Sequence, residues 1–162
     1  MNAQPILIAF LINCFLSGTE MNPLVLFSEG KPKLSSDKVI VFSERKSSFR
    51  AYNSKEKCLC KIVIDGALIK TGQRCDYGLW VEDNQMYLIE LKGCDTEKAC
   101  SQISATYDFF VARFTSEHFD YKFRVVSTRV MTAPNLQVKR KLLERRTGIK
   151  VNIKAVEMTE RV

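Results

Sequence analysis

Histidine is almost missing from this chain: His118 stands alone among 162 residues. It falls near the expected end of a long helix, where a cation satisfies terminal carbonyls, so it is read as structural and no histidine general base is assigned. No G-x-S-x-G elbow occurs, which argues against a serine hydrolase. No G-x-x-x-x-G-K-[ST] loop occurs either, which argues against a P-loop NTPase. A bilayer-spanning run is lacking too. The apolar stretch Ile6 to Leu16 in "PILIAFLINCFLSG" is broken by Asn13 and is too short to cross, so no integral membrane association is expected. No Lys or Arg precedes that stretch, and its small-residue cleavage pattern is poor. It is read as a buried or interface-forming segment of a cytoplasmic protein. The alternative is secretion, with residues 1–19 acting as a signal peptide. Internal repeats and low-complexity tracts are absent.

What is present fits one ordinary soluble domain: 46% of residues are apolar and 27% charged. Lys and Arg number 25 against 18 acidic residues, a formal charge of +7. That balance favours polyanionic partners, most commonly nucleic acid, against the alternative of a basic but uninvolved surface. The six cysteines, Cys14, Cys58, Cys60, Cys75, Cys94 and Cys100, lie mostly in apolar stretches. Reduced, buried thiols are the expectation. Cys58, Cys60 and Cys75 lack the paired knuckles of a zinc site.

Residues 1–57 read as the apolar segment and linking elements packed on a core at 58–162, all one domain. "KVIVF" predicts a strand, and "SERKSSFRAYNSKEK" a short helix capped by Ser43 or an exposed loop. "CLCKIVIDGALI" is strand-like, with Asp65-Gly66 marking a turn or bulge. "CDYGLWV" and "MYLIELK" are two strands joined by the turn "EDNQ". A helix follows from about Glu97 to Ser116, N-capped by Asp95 or Thr96. "FDYKFRVVSTRVM" is a strand. The next helix starts near Pro134 and stops at Gly148, and "IKVNIKAVEM" is a last, half-exposed strand. Strands, helix, strand, helix, strand predict an α/β fold: a mixed sheet flanked by helices.

Chemistry concentrates in the hairpin. Glu90 and Lys92 leave the same face of one strand, and Asp76, Gly78 and Trp80 share a face of its partner. Gly78, lacking a side chain, leaves space beside the charges. A strict two-residue turn at Asp83-Asn84 puts Asp76 on the opposite face from Glu90 and Lys92. A three-residue loop or single bulge brings all three together, and that register is the expectation. Two neighbouring carboxylates repel unless a proton or cation lies between them. Mg²⁺ takes one or two carboxylates plus waters and phosphate oxygens. Asp76 and Glu90 supply such carboxylates, the Leu91 backbone carbonyl a further ligand, and Lys92 a cation beside a scissile phosphate. The alternative is a structural ion pair between Lys92 and Asp76 or Glu90.

Asp76, thirteen intervening residues, then Glu90-Leu91-Lys92 resembles the signature of the PD-(D/E)XK phosphodiesterase superfamily. The resemblance covers roughly Cys58 to Met131. It implies a restriction-endonuclease-like core and Mg²⁺- or Mn²⁺-dependent nuclease activity. It assigns metal binding to Asp76 and Glu90 and makes Lys92 the catalytic lysine. Gln102 in the following helix matches a glutamine that some members place near the active site. Their tyrosine comes four residues later, whereas Tyr107 is five later, and Cys75 replaces the proline before the aspartate. Glu44, with Glu56 second, is the candidate for the N-terminal glutamate of many members.

Basic residues cluster at "SERKSSFR" and at "KRKLLERR". Lys139, Arg140, Lys141, Arg145 and Arg146 are candidates for nucleic-acid phosphate contact, with Leu142 and Leu143 anchoring the other side of their helix; solvated helix surface is the alternative. Tyr52, Tyr107 and Trp80 are candidates for base stacking, with core packing favoured for Trp80. The functional expectation is a nuclease acting on DNA more readily than RNA, conceivably as a homodimer. The alternative is a non-catalytic nucleic-acid-binding or protein-interaction module on the same fold.

Overall fold

The computed structural model describes residues 22–92, 95–129 and 134–162. The apolar run Ile6 to Leu16 and the segment Gly93-Cys94 lie outside the described residues. In chain order the elements are α1 (Pro23–Leu26), a 3₁₀ turn (Ser28–Gly30), β1 (Lys33–Ser35), β2 (Val39–Glu44), β3 (Ser47–Tyr52), β4 (Leu59–Val63), β5 (Tyr77–Val81) and β6 (Gln85–Lys92). After these come α2 (Thr96–Arg113), β7 (Asp120–Ser127), α3 (Pro134–Thr147), β8 (Val151–Ala155) and β9 (Glu157–Arg161).

The turn between β5 and β6 sets the register on which the site depends. Asp83 and Asn84 adopt positive φ, 70° and 60°, a region that short polar side chains tolerate better than others. Glu82 adds a third residue, so that Val81 pairs with Gln85, Gly78 with Leu88 and Tyr77 with Ile89. Side chains therefore alternate in step on the two strands. Asp76, Gly78 and Trp80 share a face with Met86, Leu88, Glu90 and Lys92, the convergent arrangement.

The strands form two sheets. A six-stranded mixed sheet runs β1-β4-β5-β6-β7-β8, antiparallel up to β6 and parallel from β6 to β8. The parallel steps are made through α2 and α3, as a parallel crossover requires. A smaller sheet, β2-β3-β9, packs on the opposite face. The expected mixed sheet with helices against it is present; the helices lie on one face, and the small sheet covers the other. The second cover comes from "SERKSSFRAY", which is neither helix nor loop: it forms a hairpin, β2 and β3, with Arg45-Lys46 at its tip. Its strands alternate: Ile40 and Phe42, then Phe49 and Ala51, are buried while their neighbours are mostly exposed.

Because the central strands are covered on both faces, β6 is buried from Met86 to Leu91. On the helix side, Trp80, Met86 and Leu88 meet Ala99, Ile103, Phe110 and Phe114 of the α2 region. On the other side, Leu79, Val81, Tyr87, Ile89 and Leu91 meet Phe42, Phe49 and Met158. Each fully buried Phe, Leu or Ile contributes about 1.5–3 kcal/mol. Asp95 caps α2, its side chain accepting from Lys98 N at 3.0 Å. Gly30 lies so close to β4 that a Cβ there would sit 2.6 Å from Ile62 Cγ2. Cys60, Cys75 and Cys100 are buried free thiols, with burial pushing Cys60 up to about 12 and Cys100 up to about 11.

The stretch "IKVNIKAVEM" holds two strands, not one. Val156 takes φ 63°, breaking the chain between β8 in the large sheet and β9, which runs parallel to β3 in the small one. Arg124 of β7 secures this corner. It is 8% exposed, donates to both carboxylate oxygens of Glu160 at 2.5 and 2.9 Å, and lies over the Tyr87 ring at 5.4 Å.

Candidate active site

The site sits where β5 begins and β6 ends. β5 pairs with β6 only from Tyr77 onward, so Leu91 N has no strand partner on that side. The Asp76 side chain takes its place: Asp76 Oδ2 accepts from Leu91 N at 2.7 Å. An extended residue directs its N–H and C=O to the same side, so the Leu91 carbonyl faces the Asp76 edge as well.

Glu90 follows one position before Leu91 and points to the helix side. Its side chain is 0% exposed, and neither carboxylate oxygen receives a hydrogen bond. The Lys92 ammonium lies 2.9 Å from Glu90 Oε1, an ion pair without hydrogen-bond alignment. Lys92 Nζ donates instead to Gln102 Oε1 at 2.7 Å. Gln102 is fixed in turn by its Nε2, which donates to Arg74 O at 2.7 Å. Asp76, Glu90, Lys92 and Gln102 therefore gather at the strand ends, beside the second turn of α2.

The electrostatics are those of a cation-deficient pair. Burial, followed by the charge of Asp76, pushes Glu90 up to about 7. Burial pushes Asp76 up to about 6, with the charge of Glu44 adding to the rise against the Leu91 amide and Lys92. Lys92 alone does not neutralise both carboxylates, Glu90 buried and Asp76 half-buried. No group of three or more His, Cys, Asp or Glu side chains able to hold a metal gathers among the described residues. A metal here therefore depends on two carboxylates, a carbonyl, water and substrate.

No family model matches the chain, and no curated protein or solved structure matches it significantly.

Several sequence expectations move once placed in three dimensions. The void expected beside Gly78 is filled: a Cβ there would meet Ile62 and Ile64 at 3.4 Å. Glu44 ends β2, exposed, and enters the site only through its field at Asp76. Glu56 lies in the exposed loop after β3 with φ 52°. Tyr107 packs edge-on against Tyr121 and Phe123, away from the trio. Trp80 is 4% exposed and belongs to the core. In α3, Leu143 is buried but Leu142 is 58% exposed; the inward residues are Leu136 and Leu143, seven apart, so the expected Leu142 anchor is corrected. Arg140 pairs with Glu144, and Arg146 pairs with Asp108 and Ser104 of α2. Of the five basic residues singled out on α3, Lys141 and Arg145 are exposed without such a partner among the described residues.

Sequence reasoning missed the supports. Thr106 is buried; its hydroxyl accepts from Cys75 N at 2.8 Å and donates to Gln102 O at 2.9 Å. It thereby ties α2 to the residue preceding Asp76. Ser47 in β3 donates to Lys92 O at 3.0 Å, a contact between residues 45 positions apart. A threonine four residues after Gln102 on the same helix face was the one signal available for the first. Nothing local marks the second.

Proposed function

We propose that this protein is a metal-dependent phosphodiesterase that cleaves nucleic acid, of the PD-(D/E)XK type, on a restriction-endonuclease-like core. One observation carries the reading: two carboxylates, buried Glu90 and half-buried Asp76, meet at the strand ends with a single ammonium, that of Lys92, 2.9 Å from Glu90 Oε1. One ammonium offsets one carboxylate, and leaving the second charge uncompensated costs free energy until a proton or a further cation meets it. Functional sites accept such costs where purely structural positions do not. The mixed sheet, antiparallel through β4-β5-β6 and then parallel through α2 to β7, supports the fold assignment.

The donor set suits a hard divalent cation. Asp76, Glu90 and the Leu91 carbonyl are all oxygen ligands, as Mg²⁺ or Mn²⁺ requires. Such an ion, held by Asp76, Glu90 and the Leu91 carbonyl, would supply Lewis acidity toward a phosphate ester and its attacking water. The chain's own groups do the rest. Asp76 is oriented by the Leu91 amide at 2.7 Å. Lys92, steered by Gln102 at 2.7 Å, presents its ammonium to the phosphate undergoing attack and stabilises the charge that grows on its oxygens. Gln102 is a positioning residue: its anchor on Arg74 O keeps Lys92 from collapsing wholly onto Glu90. The ligand carboxylates must be deprotonated to bind, so proton release accompanies metal uptake.

The test is cleavage of single-stranded DNA, duplex DNA and RNA with Mg²⁺ or Mn²⁺ by the parent chain, Glu90→Ala and Lys92→Ala. Cleavage by the parent and its loss in both variants, with nucleic-acid binding retained, is expected. Binding without cleavage by the parent, unchanged in both variants, would establish a binding module instead.

A further inference from the structure

Two basic clusters were visible in the sequence, and the fold separates their roles. Those on α3 are partly consumed by ion pairs with Glu144 and Asp108. Arg50, the last residue of the "SERKSSFR" cluster, is held by Glu157 at 2.6 Å. Arg45 and Lys46 are exposed with no ion-pair partner among the described residues, as are Lys141 and Arg145 of α3; what sets them apart is their place at the tip of the β2–β3 hairpin.

The tip is anchored at the site. Ser47, the next residue, donates to the carbonyl of Lys92 at 3.0 Å and is itself only 3% exposed. Glu44, the preceding residue, is close enough for its charge to raise Asp76 and Tyr77. One flank of the tip is thus seated on the backbone of Lys92, and the two cations stand beside the end of β6. Arg45 is held at φ 52°, a conformation that non-glycine residues enter at a cost and that marks a fixed turn.

We infer that Arg45 and Lys46 grip the nucleic-acid backbone next to the scissile phosphate, so that the strand lies over the hairpin tip and the ends of β5 and β6. This rests on the proposed function and names where its substrate is held. Unpaired cations at a rigid tip neutralise phosphates without reading bases, which gives position and affinity but no sequence preference.

The experiment measures binding of a duplex and a single-stranded oligonucleotide, with EDTA present, across a salt series. The proteins are the parent chain, Arg45→Gln/Lys46→Gln, and Lys141→Gln/Arg145→Gln. Removing two phosphate contacts lowers the slope of log affinity against log salt by about 1.8 on duplex or about 1.4 on a single strand. That loss is expected for the hairpin pair, with the α3 pair near the parent. An unchanged slope in the hairpin pair, whatever α3 does, overturns the inference and leaves the phosphodiesterase reading standing. A parent chain that binds no nucleic acid overturns both.

Discussion

Replacing Glu90 by Gln should stabilise this protein in the absence of metal. Glu90 has a folded pKa of about 7 against 4.5 for an ordinary glutamate. The folded state therefore binds more protons than the unfolded chain between those values, and stability falls as pH rises through that window. Above pH 7 the whole penalty is present. At about 1.4 kcal/mol per tenfold, the difference corresponds to roughly 3 kcal/mol. Part of it is mutual repulsion with Asp76, so a gain of about 1–3 kcal/mol is expected for Glu90→Gln at pH 8. At pH 5 the unfolded carboxylate is only partly ionised, and the gain shrinks to about 1 kcal/mol or less. For a chain of this size, 2 kcal/mol is a rise in Tm of roughly 4–8 °C. Urea or thermal unfolding in EDTA at the two pH values reads it directly. Saturating Mg²⁺ or Mn²⁺ should then narrow the gap by stabilising the parent alone. A variant no more stable than the parent at pH 8 refutes the reasoning, because Lys92 would then already neutralise Glu90 as a structural pair.

Other outcomes follow from the same geometry. Divalent-metal affinity should climb steeply between pH 6 and pH 8, as Asp76 at about 6 and Glu90 at about 7 lose their protons. Calorimetric titration in buffers of different ionisation enthalpy measures the release, and pH-independent binding without proton release would count against these ligands. Glu160→Ala should cost about 3–5 kcal/mol, because it leaves the Arg124 guanidinium buried without its carboxylate; a loss below 1 kcal/mol in urea unfolding would show the pair to be dispensable. Gly30→Ala should destabilise by about 1–3 kcal/mol through overpacking against Ile62. An unaltered Tm for that variant would mean the N-terminal turn shifts freely.

The hairpin was legible because its information is local. Asp83-Asn84 tolerates positive φ, one extra residue fixes parity, and parity alone decides which side chains meet. Both helices were legible to within a few residues at their ends, since Asp95, Pro134 and Gly148 are boundary residues. The small sheet was not. Its hairpin is short and basic at the tip, so "SERKSS" looked like solvated helix or loop, and its third strand arrives from residues 157–161. The Val156 corner carries no glycine or proline to announce it. The site supports were hidden for a like reason: Ser47 and Thr106 act on backbone groups far away in sequence. Leu142 misled because adjacent leucines on a helix point in directions about 100° apart, and only one of them meets the core.

The parallel pairing of β3 with β9 joins residues such as Ser48 and Glu157, 109 positions apart. During synthesis the β2–β3 ribbon therefore leaves the ribosome with one edge bare and waits until residues 157–161 have been made. Two-stranded ribbons are marginal by themselves, so the seat that Ser47 provides for the Lys92 carbonyl becomes firm only at the last stage of folding. Maturation of the trio is thereby tied to the arrival of β9, and a chain cut short before residue 157 would carry the charges without the scaffold that aligns them.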